Sequence, residues 1–123
     1  MLKVNFFHVC ESAIVEQGTG NLSLIGIFEN INAQNFPATH PSMVVAIGFE
    51  NKNPGIYDIE LMFLDEKGEI LKLPAKVNIG ANLKGNFIYK IAMYQIPREA
   101  TQKIKLNYDG QTIYTGFLTI NGK

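Results

Sequence analysis

The sequence has no tryptophan, a single cysteine, a single arginine and no excess of either charge across its 123 residues. Cys10 has no second cysteine to pair with, which excludes the disulfide framework typical of small secreted domains. Eleven Lys and Arg residues balance eleven Asp and Glu residues, and Arg98 is the only arginine. Because nucleic-acid binding depends on concentrated positive charge, we do not expect nucleic acid as a partner.

Long apolar runs are also missing. None approaches the roughly 18 residues that a membrane-spanning helix needs. The first ten residues are too short an apolar stretch for a secretory signal, and Asn5 and His8 interrupt it. We therefore expect a cytoplasmic protein without membrane contact. The hydrophobic content of 46% suits one globular domain over residues 1–123, which needs neither a metal nor a disulfide to fold.

Alternation of apolar and polar residues predicts strands along most of the chain. In residues 57–63, aromatic and aliphatic side chains alternate with Asp58 and Glu60, which indicates a half-buried strand. Residues 87–93 alternate similarly, and Asp109-Gly110 is typical of a type I′ hairpin turn. No segment carries a sustained helical stripe. The spacing predicts an all-β fold, an immunoglobulin-like antiparallel β-sandwich of about 8–9 strands.

One stretch, between Glu29 and Ser42, lacks this alternation and contains Pro37 and Pro41. We predict a long irregular connection there, and loops of such length often carry function. Phe36 and His40 are therefore candidate partner-binding residues. The competing interpretation is that the apolar residues of this stretch only close one end of the sandwich.

Three segments of the N-terminal half occur in a specific order: Cys10-Glu11-Ser12-Ala13, then Asn21 to Phe28, then Phe36-Pro37 and His40-Pro41. Together they resemble a family of small uncharacterised bacterial proteins classed as a domain of unknown function. The resemblance covers roughly the first 45 residues. It implies an all-β, single-domain protein, and it brings neither an activity nor catalytic residues.

The first constellation that suggests chemistry involves His8 and Cys10, which leave the same face of a regular strand. If the stretch from Glu29 to Ser42 folds back, His40 completes a nitrogen and sulfur set suited to zinc or to an activated thiolate. The alternative is that Cys10 is a small buried hydrophobe beside the apolar side chains of residues 2–6.

The sequence contains no nucleophile elbow and no paired-cysteine motif. We therefore predict a non-enzymatic protein without a cofactor. Its expected partner is protein, including a second copy of itself in a homodimer, because aromatic residues and free strand edges favour such contacts. Two alternatives are a thiol or metal site at His8, Cys10 and His40, and small-ligand or glycan binding at one end of the sandwich.

Overall fold

The computed structural model describes residues 2–122, and their ordered elements are all β-strands. The nine strands are β1 (Lys3–Val15), β2 (Leu22–Ile27), β3 (Asn30–Ala33), β4 (Ala38–Glu50), β5 (Gly55–Asp65), β6 (Gly68–Ile79), β7 (Lys84–Ile96), β8 (Ala100–Tyr108) and β9 (Gln111–Gly122). The prediction of an all-β chain with eight or nine strands is confirmed.

The strands form two sheets that enclose one core. Sheet A has the order β2-β1-β4-β7, and sheet B has the order β3-β9-β8-β5-β6. Neighbouring strands are antiparallel except for β3, which pairs in parallel with β9. The core contains apolar residues from both sheets, such as Ile47 and Phe49 of β4 and Leu61 and Phe63 of β5, each at most 1% exposed.

The predicted alternation in β5 is confirmed, because Ile59, Leu61 and Phe63 are buried while Asp58 is exposed. The predicted hairpin turn is confirmed as well. Asp109 and Gly110 both have positive φ, 52° and 76°, as a type I′ turn requires.

The register predicted for β1 is wrong at its beginning. The sequence pattern places Leu2, Phe6 and Cys10 on one face, whereas Leu2 and Phe7 both lie in the core. A β-bulge between Val4 and Phe6 inserts one extra residue into the pairing with β4. Since side chains alternate with a period of two, one extra residue moves every later side chain to the opposite face.

The alternation predicted for β7 also ends early. Ile91 and Tyr94 are both buried, and Met93 is 60% exposed although the pattern places it with Ile91. Met93 adopts a φ of 55°, and this left-handed conformation breaks the alternation so that Tyr94 faces the core. The Tyr94 hydroxyl then donates a hydrogen bond of 2.6 Å to Oε1 of buried Gln102 in sheet B.

The long irregular connection predicted between Glu29 and Ser42 is wrong. This stretch contains β3 and the beginning of β4, so only Glu29 and residues 34–37 lie outside strands. β3 forms because it pairs with β9, a partner about 90 residues away that local patterns do not reveal. Pro41 is tolerated within β4 because neither neighbouring strand pairs with it. The pairing of β4 with β1 ends at Val44, and the pairing with β7 passes from His40 to Ser42, so the missing N–H of proline costs no ladder hydrogen bond there.

Candidate functional site

The side of sheet A that points away from the core is built from four strands in register. Cys10 of β1 pairs with Ile27 of β2 and with Val44 of β4, and Val44 pairs with Lys90 of β7. Adjacent core residues on the same strands, such as Val9, occupy the other side. We call the following outward residues the sheet A outer face: Phe6, His8, Cys10, Ser12, Ile14, Ile25, Ile27, Ser42, Val44, Ala46, Gly48, Ile88, Lys90 and Ala92. The outward positions beyond one end of it are the charged residues Lys3, Glu50 and Lys84.

The sheet A outer face differs from an ordinary solvated sheet surface because it is almost uncharged. Among the described residues, Lys90 is its one Lys or Arg, and it contains no Asp or Glu. The outward side of sheet B is conventional by comparison, and its charged residues are Asp58, Glu60, Lys72, Lys76, Lys103 and Lys105. In a sandwich, outward positions are normally polar. Packing of the core therefore does not explain why the outward residues of this face are apolar.

The sheet A outer face has exposed isoleucine side chains on β1 and β2 and small, buried side chains on β4. Ile14, Ile25 and Ile27 are 48%, 51% and 54% exposed and stand on β1 and β2. Val44 and Ala46 of β4 are at most 5% exposed, because larger neighbours surround these small side chains. Three exposed isoleucines in one place form a contiguous apolar patch of the kind that marks interaction sites.

Charged residues lie at one end of this patch and on the β7 edge of the sheet. Lys3 pairs with Glu50 across β1 and β4, and Glu50 pairs with Lys84 of β7, which forms a charged row at one end. Lys90 lies on the edge strand β7. An apolar centre with a charged rim is the usual anatomy of a protein interface.

His8 and Cys10 both belong to the sheet A outer face, as their spacing predicts. The two residues differ in environment, since His8 is exposed and stacks on the Phe6 ring at a centroid distance of 6.0 Å. Cys10 is fully buried, and its Sγ donates a hydrogen bond of 3.3 Å to the Ser12 carbonyl oxygen. Burial raises the pKa of the Cys10 thiol, which keeps it protonated and poorly nucleophilic.

We expect Cys10 to resist alkylation in the folded protein. Its thiol is inaccessible and protonated near neutral pH, so modification must wait for local or global unfolding. Mass spectrometry after exposure to a maleimide should show little adduct under native conditions and complete modification in denaturant. An exposed control cysteine, introduced as Ile56→Cys, should react at once. Equal native rates for the two thiols would contradict a buried, inert Cys10.

His40 lies farther along sheet A, beside Glu11 rather than beside Cys10. Along β4 it is four residues from Val44, the partner of Cys10, or roughly 13 Å. Its ring packs against Phe28 at 5.5 Å, and its Nε2 is 3.6 Å from Oε2 of Glu11. These residues line a cleft of about 460 Å³ together with Ile31, Gly26, Ile27, Asn30 and Asn32.

The structure therefore brings His8 and Cys10 together on one face but does not bring His40 to them. Within residues 2–122, no group of three His, Cys, Asp or Glu side chains is arranged to hold a metal ion. Phe36, the other candidate from the sequence, is partly buried and packs against the core. The same described residues contain no helix of the length and hydrophobicity needed to cross a membrane.

The candidate residues predicted from the sequence did not include the sheet A outer face as a whole, although the sequence contains two signals for it. Residues 43–49 are apolar at consecutive positions, and residues 21–28 contain no charged residue. Both patterns indicate strands whose two sides avoid water. They do not reveal that the strands share a sheet, because β1 separates β2 from β4.

These observations define the protein as a two-sheet, all-β domain with a nearly uncharged outer face on sheet A. Residues 5–121 match the model of a family of unknown function, DUF6941. The chain belongs to this family, which agrees with the resemblance found in its N-terminal half. A comparison with curated proteins finds no match.

Solved structures share the fold at low sequence identity. The alkylpurine DNA glycosylase AlkC of Pseudomonas fluorescens, bound to DNA containing an abasic site analog, has a TM-score of 0.59 at 8% identity, over 98% of this chain and 30% of that chain. A β-glucosidase of Listeria innocua in complex with gluconolactone has a TM-score of 0.56 at 11% identity, over 99% and 16%. This chain thus spans less than a third of either protein, and the likeness concerns the fold alone.

Proposed function

We propose that this protein is a non-catalytic protein-interaction module that binds its partner through the sheet A outer face. The observation that carries the proposal is the nearly uncharged surface with three isoleucines about half exposed. Leaving such side chains in water is unfavourable by about 25 cal/mol for each Å² of apolar area. Burial against a partner recovers that free energy, and a protein surface offers a matching apolar area with polar edges.

The strand order supports an immunoglobulin-like arrangement, which we propose for the domain. Without β2 and β3, the sheets have the orders β1-β4-β7 and β9-β8-β5-β6. These correspond to strands A-B-E and G-F-C-C′ of an immunoglobulin-like sandwich. The hallmark tryptophan and inter-sheet disulfide of antibody domains are missing, since the chain has no tryptophan and one cysteine. Many sandwiches of this kind act by binding, and a single unpaired thiol supports the expected cytoplasmic location.

Two single substitutions, one on each sheet, test the proposed function. Ile27→Lys places a charge in the apolar patch, and Ile56→Lys does the same on the other sheet, where Ile56 is 69% exposed. Purified wild-type protein and both variants are immobilised and exposed to lysate of the source organism. We expect one or more proteins, this chain included, to be retained by wild type and Ile56→Lys and lost with Ile27→Lys.

Circular dichroism and thermal unfolding serve as the folding control for both variants, because each site is exposed and tolerates a long side chain. If wild type and Ile27→Lys retain the same proteins in the same amounts, the sheet A outer face is not the binding surface.

A further inference from the structure

The cleft beside His40 opens where the chain passes from β2 of sheet A to β3 of sheet B. Its volume of about 460 Å³ lies within the range of roughly 300–1,000 Å³ that small-molecule sites occupy. Glu11 of β1, Gly26 of β2 and His40 of β4 line it from sheet A, and residues 30–32 line it from sheet B. The three segments on which the family resemblance rests therefore converge on this cleft.

Gly26 shapes the cleft by having no side chain. Its φ is 69°, a left-handed conformation that favours glycine. A Cβ atom at this position would lie 2.8 Å from Cγ of Glu11, well inside the usual contact distance of about 3.5–4.0 Å between carbon atoms. The Glu11 side chain therefore lies against the Gly26 backbone, and this brings its carboxylate beside His40.

The His40 ring forms a wall of the cleft and carries a nitrogen without a partner. The ring packs on that of Phe28 at 5.5 Å, and its Nε2 is buried and makes no hydrogen bond with any described residue. Oε2 of Glu11 lies 3.6 Å from this nitrogen, which is too far for a hydrogen bond. Buried polar atoms are nearly always hydrogen-bonded, so this pair suits a ligand that donates to both. The Glu11 side chain is 55% exposed and is free to rotate and admit one.

The lining residues select the charge of such a ligand. Among the described residues, Glu11 is the one charged residue of the lining, and no Lys or Arg joins it. An anion therefore finds no counter-charge in the cleft. A metal ion also fits poorly, because no third His, Cys, Asp or Glu in residues 2–122 completes a ligand set with Glu11 and His40.

An ammonium group fits the same lining. It neutralises the Glu11 carboxylate, and its several N–H donors also reach the imidazole of His40, which accepts through one ring nitrogen when neutral. Aromatic rings such as that of Phe28 attract cations. Ile27 and Ile31 complete the lining and offer apolar surface to a hydrocarbon stem.

We infer that this cleft binds a small organic amine, with the ammonium group between Glu11 and His40 and the apolar stem against Phe28 and Ile31. The inference goes beyond the proposed function and does not depend on it, because Glu11 and His40 are not part of the sheet A outer face. Both a free amine and a lysine side chain carry this chemistry.

Isothermal titration with cyclohexylmethylammonium tests the site at about pH 8, where histidine is ordinarily neutral. We expect saturable binding, and at least tenfold weaker binding of cyclohexylmethanol, which has the same stem without the charge. Glu11→Gln should weaken binding of the amine at least tenfold. Glu66→Gln is the matched control, because Glu66 is exposed in the turn between β5 and β6, and its affinity should equal that of wild type.

Two further measurements locate the site and identify the source of the amine. Amide chemical-shift changes on titration should be confined to Glu11, residues 26–32, His40 and their neighbours. Nα-acetyl-lysine amide serves as the second probe: tighter binding than the free amine assigns the site to a lysine side chain, and weaker binding assigns it to a small amine.

Three results would overturn the inference. The first is equal affinity for the amine and the alcohol, which would make the cleft a site for neutral ligands. The second is the absence of saturable binding by either amine. The third is a Glu11→Gln variant that binds like wild type, and circular dichroism confirms that this variant is folded.

Discussion

Phe63→Ala should destabilise the protein by about 3–5 kcal/mol, the range for removing a buried phenylalanine. Phe63 is fully buried on β5, and its ring lies 5.2 Å from that of Tyr94 on β7. It therefore connects sheet B to sheet A in the middle of the core. Truncation removes this aromatic contact together with the apolar burial, and it leaves a cavity between two rigid sheets that cannot collapse to fill it.

Urea unfolding followed by far-UV circular dichroism measures the loss, since the chain has no tryptophan to report on unfolding. The transition midpoint should fall while the slope of the transition stays unchanged. Phe117→Ala is the matched control because Phe117 is 56% exposed, and its effect should stay below about 1 kcal/mol. Similar losses at both positions would contradict the assignment of Phe63 to the inter-sheet core.

Arg98→Gln should produce the second large effect, a loss of about 1–3 kcal/mol near neutral pH. The Asp65 side chain is fully buried, and the Arg98 guanidinium donates to its Oδ2 while the Lys67 backbone N–H donates 2.9 Å to Oδ1. Removing the guanidinium leaves a buried carboxylate with one donor fewer and no paired charge. The expected loss is moderate because the Arg98 side chain is 36% exposed and solvent screens the ion pair.

The pH dependence of stability follows from the same site. Burial alone would raise the pKa of Asp65, but the Lys67 N–H and the Arg98 guanidinium together hold that pKa below its ordinary value of 3.8. A depressed pKa contributes stability that is present above the unfolded-state pKa and is lost as the pH falls through the folded-state value. Asp65→Asn should therefore unfold with a shallower acid dependence than wild type, with the difference appearing below about pH 4.

Urea unfolding at a series of pH values from neutral to strongly acidic makes the comparison. Asp109→Asn is the control for a lost carboxylate, because Asp109 is exposed and Asn-Gly suits the same type I′ turn, and it should leave the acid dependence unchanged. If Asp65→Asn and wild type lose stability in parallel below pH 4, Asp65 does not carry a depressed pKa in the folded state.

The sequence predicted those parts of the fold that depend on neighbours along the chain. The alternation in residues 57–63 and the Asp109-Gly110 turn reflect local rules of strand pleat and turn conformation, and both hold in the structure. These strands could therefore be predicted without knowing which strands pair with them. Local rules failed where a single residue changed the alternation, at the bulge after Val4 in β1 and at Met93 in β7.

The candidate site was less accessible to sequence reasoning than the fold. His8 and Cys10 share a face because they lie two residues apart, but whether that face points to the core or away from it depends on the bulge in β1. His40 lies far from both, because pairing between β1 and β4 sets its position along the sheet. Phe36 and His40 were expected in a long loop, and the parallel pairing of β3 with β9 converts most of that loop into strands.

The sequence by itself determined that this is an all-β chain with balanced charge and a single thiol, because composition and alternation act locally. Only the tertiary structure decided where the uncharged segments lie relative to one another. Residues 21–28 and 43–49 are separated in the chain, and both contribute apolar residues to one outer face because β1 pairs with β2 on one side and with β4 on the other. Which residues share a surface depends on the order of the strands in the sheet. Hydrogen bonds between residues far apart in the chain determine that order, and no local sequence pattern shows it.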